Sequence, residues 1–160
     1  MFLMGEEIGA TKDFTFDGFL DAREDLIGER KGQGSQLFRY YRDLIRLRRR
    51  HSTFATPNLD IVLAHNQDRV IAFHRYKGPE HYLVVATLSD RGWPDGYALV
   101  APGLAAGRWR EIFSSDSTWY GGSGVSNVGE LETTPDEDGT RLVVKLAARA
   151  FVVLRRSPDA

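Results

Sequence analysis

From residue 58 to residue 156 the chain breaks into short apolar runs separated by glycine, proline, asparagine and aspartate. Runs of four to eight residues between such turn formers suit strands far better than helices. Residues 59–65 and 69–76 flank Asn66-Gln67-Asp68, a turn-rich tripeptide that signals a hairpin. Residues 81–88 are almost continuously apolar, which predicts a central strand covered on both faces. Residues 96–100 and 108–113 read as the fourth and fifth strands. A Gly/Ser-rich loop follows over 114–129, and 141–146 and 149–155 close the series. Strands at such short intervals predict an antiparallel sandwich or barrel.

Upstream the pattern changes. In residues 35–51, Leu37, Tyr40, Tyr41, Leu44, Ile45 and Leu47 recur at helical spacing, with Ser35 placed to cap the start. The end is basic (Arg46, Arg48, Arg49, Arg50 and His51), which suits the negative end of the helix dipole. Residues 1–34 carry six glycines, many acids and no apolar periodicity, so they read as loop. A loop of about thirty residues is abnormal inside a compact domain. The spacing predicts that this stretch is functional or is cut from something larger.

The 160 residues carry 21 Lys+Arg and 22 Asp+Glu, a net charge of −1. That balance argues against a nucleic-acid partner, which a strongly basic domain would announce. There is no cysteine, which removes disulfides, thiol nucleophiles and Cys-ligated zinc. No apolar run approaches the about 18 residues of a membrane span, and Met1-Phe2-Leu3-Met4 is too short for a signal peptide. A cytoplasmic protein without membrane partners is the expectation. Its oligomeric state is not written in the chain.

Chemistry-bearing motifs are few. Glu6 and Glu7 are adjacent, and Asp13, Asp17, Asp21, Glu24 and Asp25 follow. Two carboxylates can cleave a glycosidic bond, but neighbours on an extended strand point to opposite sides. A solvated acidic loop is the simpler reading. His51, His65, His74 and His81 form no close ligand pair; His65 and His74 could face each other across the first hairpin, without a third metal ligand. No metal site is expected. No phosphate-cradling or dinucleotide motif appears, so no cofactor is expected. Trp93, Trp119 and Tyr120 lie in or beside turns, where flat rings can cover the C–H faces of a sugar or anchor a loop. Trp109 alternates with Glu111 and Phe113 and reads as core.

Several strings together resemble the α-amylase superfamily, glycoside hydrolase family 13. Met1-Phe2-Leu3-Met4-Gly5-Glu6-Glu7 is similar to the end of its eighth barrel strand, and Leu37 to Arg48 to the final barrel helix. Residues 69–76 and 82–89 look like the first strands of its all-β C-terminal domain. Residues 108–116 with Tyr120-Gly121-Gly122 are most like that domain in the 1,4-α-glucan branching subgroup, and residues 148–154 resemble its closing strand. The resemblance implies a mainly β chain. An antiparallel C-terminal β-sandwich (57–160) would follow the last barrel helix and linker (35–56) and a remnant of the last barrel strand and loop (1–34).

The resemblance also implies an absence. The family's Asp nucleophile, Glu acid/base and stabilising Asp sit on barrel strands four, five and seven, upstream of Met1. No catalytic residue is therefore assigned, and the chain alone is expected to be inactive. Its implied partners are the missing N-terminal barrel and an α-1,4-glucan or maltooligosaccharide. Glu6, Glu7, Trp93, Trp119 and Tyr120 are the candidate substrate contacts. Two rival readings stand beside this one: a stand-alone maltooligosaccharide-binding module, and an interaction domain that pairs with a separate barrel chain.

Overall fold

The structure is a computed structural model that describes residues 5–11 and 25–158. The apolar Met1–Met4 and the acids Asp13, Asp17, Asp21 and Glu24 lie outside the described residues. The chain divides into two compact units, Met1–Leu47 and Arg48–Ala160.

Among the described residues a 3₁₀ turn, Glu6–Ile8, precedes α1 (Leu26–Lys31) and α2 (Ser35–Arg50), the last of which begins in the first unit and ends just past its boundary at Leu47. The loop reading of 1–34 therefore misses α1. Its start is set by Asp25, whose side chain accepts from the Gly28 amide at 2.9 Å. That cap satisfies one of the free N–H groups of a helix start. Ser35 is already helical and does not precede the helix; the Phe38 amide donates to the Gly34 carbonyl. Gly34 is required where it stands, since a Cβ there would lie 2.5 Å from the Ile8 carbonyl oxygen. No side chain of α2 is fully buried, and Ile45 of its apolar stripe is 53% exposed.

The second unit is an antiparallel sandwich. One sheet has six strands in the order β1 (Leu59–His65), β2 (Val70–Lys77), β3 (Glu80–Thr87), β9 (Phe151–Arg156), β5 (Arg108–Ser114) and β6 (Glu130–Glu132). The other has three: β4 (Trp93–Ala101), β8 (Gly139–Leu146) and β7 (Thr134–Asp136). The core lies between them. Val70, Ala72, Leu83, Val85, Trp109, Val152 and Leu154 of the large sheet meet Tyr97, Leu99, Leu142, Val144 and Leu146 of the small one.

β3 is central, and Tyr82, Leu83, Val84 and Val85 are all buried, as its unbroken apolar run predicts. The outer face of the large sheet is covered at one end by the 3₁₀ segment Ser52–Ala55, where Phe54 packs on Tyr82 with ring centroids 4.8 Å apart. The Tyr82 hydroxyl and His51 Nδ1 hydrogen-bond at 2.8 Å, and the Thr53 hydroxyl donates to Glu80 at 2.7 Å.

The histidine pairing differs from the sequence expectation. His74 does not face His65, because His65 stands opposite Val70 and His74 opposite Asp60. His74 meets His81 of β3 instead, with Nε2 and Nδ1 2.9 Å apart and the rings nearly parallel. His65 binds Asp68 in its own turn at 3.1 Å.

Candidate functional site

A concave feature of the sandwich unit lies beside the loop that runs from Ser114 to Asn127. It is a pocket of about 450 Å³ lined by residues that include Glu111, Phe113, Ser114, Ser117, Tyr120 and Ser126. Small-molecule sites commonly fall between about 300 and 1,000 Å³.

β5 delivers two of these side chains to opposite faces of the sheet. Its register against β9 slips between Glu111 and Phe113. Glu111 stands opposite the core residue Leu154, yet Phe113 stands opposite Val153 on the other face. In a regular strand residues two apart share a face; the bulge at Ile112 breaks that rule and re-aims the side chains. Phe113 stacks on Tyr120 and on Phe151, with centroids 5.6 Å apart in each pair.

Glu111 is held half-buried. Its Oε2 accepts from both the backbone amide and the side-chain Nδ2 of Asn127, at 2.9 and 2.8 Å. Burial raises its pKa above the ordinary carboxylate value, and the two Asn127 hydrogen bonds only partly oppose this. Asn127 is itself buried and continues the link to the second sheet. Its Nδ2 donates to the Lys145 carbonyl and its Oδ1 accepts from the Lys145 amide at 2.8 Å.

The loop is organised around Asp116. Its carboxylate accepts from the amides of Ser123 and Val125 and from the Ser123 hydroxyl, and its carbonyl accepts from the Gly124 amide. Burial alone would raise the Asp116 pKa, but these hydrogen bonds outweigh it and hold the group below its usual value. Gly122 packs so close that a Cβ would lie 2.2 Å from the Asp116 carbonyl oxygen. Within the loop, Ser117 caps the 3₁₀ turn Thr118–Tyr120 by accepting from the Trp119 amide, and Gly121 closes it at φ 87°.

These elements bring Trp119 and Tyr120 together, Tyr120 on the pocket wall and Trp119 beside it with 55% of its surface exposed. Trp93 is placed elsewhere. It sits on β4 in the small sheet, half-buried against the core, with Tyr97 edge-on at 5.1 Å and Arg91 over its ring. Glu6 and Glu7 belong to the first unit, in a 3₁₀ turn and not a strand; Glu7 Oε2 accepts from the Gly5 amide and Glu6 is exposed. Glu111 and Asn127 were not singled out from the sequence. An acid in strand alternation carries no signal until the bulge and its partner 16 residues on are known. Among the described residues, no three His, Asp or Glu side chains converge as a metal site. No described helix is long and apolar enough to cross a membrane.

The sandwich has known counterparts. The family described as the alpha amylase C-terminal all-beta domain matches residues 61–157. The chain belongs to that family.

Among relatives, the 1,4-alpha-glucan branching enzyme GlgB of Bradyrhizobium sp. (strain BTAi1) is 31% identical over 161 residues, spanning 96% of this chain and 22% of that protein. The GlgB of Rhodopseudomonas palustris (strain BisB5) is 33% identical over 141 residues, spanning 83% and 19%. The chain thus spans about a fifth of the length of these relatives. Among solved structures, a debranching enzyme from Nostoc punctiforme superposes with a TM-score of 0.57 at 16% identity, covering 84% of this chain and 24% of that one. The alpha-amylase from H. orenii gives 0.52 at 21% identity, covering 82% and 22%. At these identities the structures share the fold.

Proposed function

We propose that this chain is the non-catalytic C-terminal part of a 1,4-α-glucan branching-type enzyme and acts as a structural cap on its catalytic barrel. One observation carries the reading: a branching enzyme aligns with 96% of this chain while only 22% of that enzyme takes part. Glycoside chemistry needs an acid and a nucleophile held about 5–5.5 Å apart around one bond in a retaining enzyme. A sandwich with one half-buried carboxylate in its pocket offers no such pair. In this reading residues 1–34 are the remnant of the last barrel strand and loop, 35–56 the last barrel helix and linker, and 57–160 the C-terminal domain. Glu6 and Glu7 then stand at the substrate end of the intact barrel, where βα loops meet ligand. A role in glycogen synthesis and a cytoplasmic setting go with this reading.

The test has two arms. The purified chain, incubated with amylose, is expected to leave the chain-length profile after debranching unchanged; new α-1,6 branches would overturn the non-catalytic role. In the Bradyrhizobium branching enzyme, deletion of the aligned C-terminal fifth is expected to lower the melting temperature and abolish branching. Unimpaired branching by the shortened enzyme would remove the cap.

A further inference from the structure

The two sheets present different outer faces. In an antiparallel sheet with one face in water, apolar and polar residues alternate cleanly. The small sheet comes close to this. β8 turns Arg141, Val143 and Lys145 outward between the core residues Leu142, Val144 and Leu146. The large sheet does not. Alternating with its core residues, β2 turns Ile71 and Phe73 outward, β3 turns Val84 and Ala86, and β9 turns Phe151 and Val153.

The register sets these side chains in rows. Ile71, Ala86 and Phe151 stand side by side across three strands, and Phe73, Val84 and Val153 form the next row. β1 carries the second row to the sheet edge, where Ile61 stands opposite Phe73 and is 57% exposed. Leu59, opposite Arg75 on the same face, is 41% exposed. Among the described residues, the 3₁₀ segment Ser52–Ala55 covers the end of this face at Tyr82. Ile61, Ile71, Phe73, Ala86 and Phe151 keep exposed surface. Contiguous apolar surface of this kind marks an interaction site.

Two observations name the occupant. This chain spans only 22% of the Bradyrhizobium enzyme, so most of such an enzyme lies outside it. The sandwich unit is also entered across this face. Its first residues, Arg48–Arg50, end α2, and the covering segment Ser52–Ala55 follows at once. A domain tethered there by so short a connection meets the apolar rows at high effective concentration. The rim at that end is basic: Arg48, Arg49 and Arg50 are exposed, and so is Lys77, which donates to the Ser52 hydroxyl. A partner surface with an apolar centre and carboxylates at its edge fits both features.

We infer that the outer face of the six-stranded sheet is the docking surface for the catalytic barrel, with Ile61 and Phe73 in its apolar rows and Arg48–Arg50 facing carboxylates of the partner. The barrel as occupant rests on the proposed reading of the chain as part of a branching-type enzyme.

The full 160-residue chain is co-expressed with the Bradyrhizobium branching enzyme shortened by its aligned C-terminal fifth, and the complex is measured by sedimentation velocity. A one-to-one complex is expected, weakened by salt through the basic rim. Ile61→Arg is expected to weaken it at least about tenfold, because an unpaired charge would be buried in the apolar rows. Leu59→Arg, at a second exposed position of the face, gives the same loss should Ile61→Arg fail to fold. Val143→Arg is the control on the outer face of the small sheet, where Val143 is 47% exposed, and is expected to change nothing. A complex that survives the substitutions at 59 and 61, or that Val143→Arg weakens equally, overturns the choice of face. Absence of a complex overturns the docking. Self-association of the chain that Ile61→Arg abolishes makes a second copy the occupant and overturns the barrel. Branch formation by the chain alone, or unimpaired branching by the shortened enzyme alone, would instead strike the functional reading itself.

Discussion

Asn127 donates from its backbone amide and from its side-chain Nδ2 to one oxygen of Glu111 and, with the same side chain, pairs with the backbone of Lys145 in the opposite sheet. One buried side chain thereby joins the loop, β5 and β8. Asn127→Ala removes three of these hydrogen bonds and leaves the Lys145 amide and carbonyl without that partner. An unsatisfied buried group costs about 1–3 kcal/mol, so a loss near 3 kcal/mol is expected, read from urea unfolding at neutral pH. A loss below about 1 kcal/mol would show that the link is dispensable.

Gly122 tests the loop without touching the core. A methyl group there would meet the Asp116 backbone at 2.2 Å. Relief requires moving Asp116, whose carboxylate and carbonyl hold Ser123, Gly124 and Val125. Gly122→Ala is expected to cost about 2 kcal/mol and to speed exchange of the Ser123 and Val125 amides. Exchange rates equal to those of the parent chain would refute the tight approach.

Trp109 sits at the centre of the sandwich, fully buried, with its indole N–H donating to the Ala105 carbonyl at 3.3 Å. Trp109→Ala is expected to destabilise by about 3–5 kcal/mol through lost burial and the cavity left behind. Trp119→Ala on the exposed turn is expected to change stability by less than about 0.5 kcal/mol. Measuring both by chemical denaturation separates the core tryptophan from the exposed one.

Much of the sandwich is legible in the chain because its long strands obey the two simplest rules, unbroken apolarity for β3 and alternation elsewhere. The three-residue strands β6 and β7 are not legible. Glu130-Leu131-Glu132 and Thr134-Pro135-Asp136 have no intrinsic strand signal and exist only through pairing with β5 and β8. The start of β4 is hidden by Pro94 and Gly96, where its register against β8 slips between Trp93 and Tyr97. At the site, the rings at 119 and 120 stand out in the sequence by type. Glu111 does not, because its placement depends on a bulge and on a partner across the loop. The same reason defeats the histidine pairing, since which imidazoles meet is fixed by the β2–β3 register and not by their spacing.

That histidine pair sets a pH dependence. His74 and His81 are stacked with centroids 5.0 Å apart and share a hydrogen bond, so at least one ring nitrogen must accept. Burial first, then His81 and Arg156, lower the pKa of His74, with Asp60 opposing; burial and Arg156 lower that of His81. Tyr76 and Trp109 form the remaining ring contacts of His74. His51 shifts in the same direction, by burial and by Arg155. The unfolded chain therefore takes up protons near pH 6.5, before the folded one does. Where the unfolded state binds more protons, stability rises with pH. Stability should thus fall as pH drops through about 6.5 and level off below the folded-state values. Glu111 works oppositely: its raised pKa returns some stability as pH falls toward its ordinary value. Urea midpoints measured between pH 8 and 5 should decline through the histidine range, and His74→Gln with His81→Gln should flatten that decline, leaving the share due to His51. A midpoint that is level across this range in the parent chain, or a slope unchanged in the double variant, would show that the stacked pair does not control it.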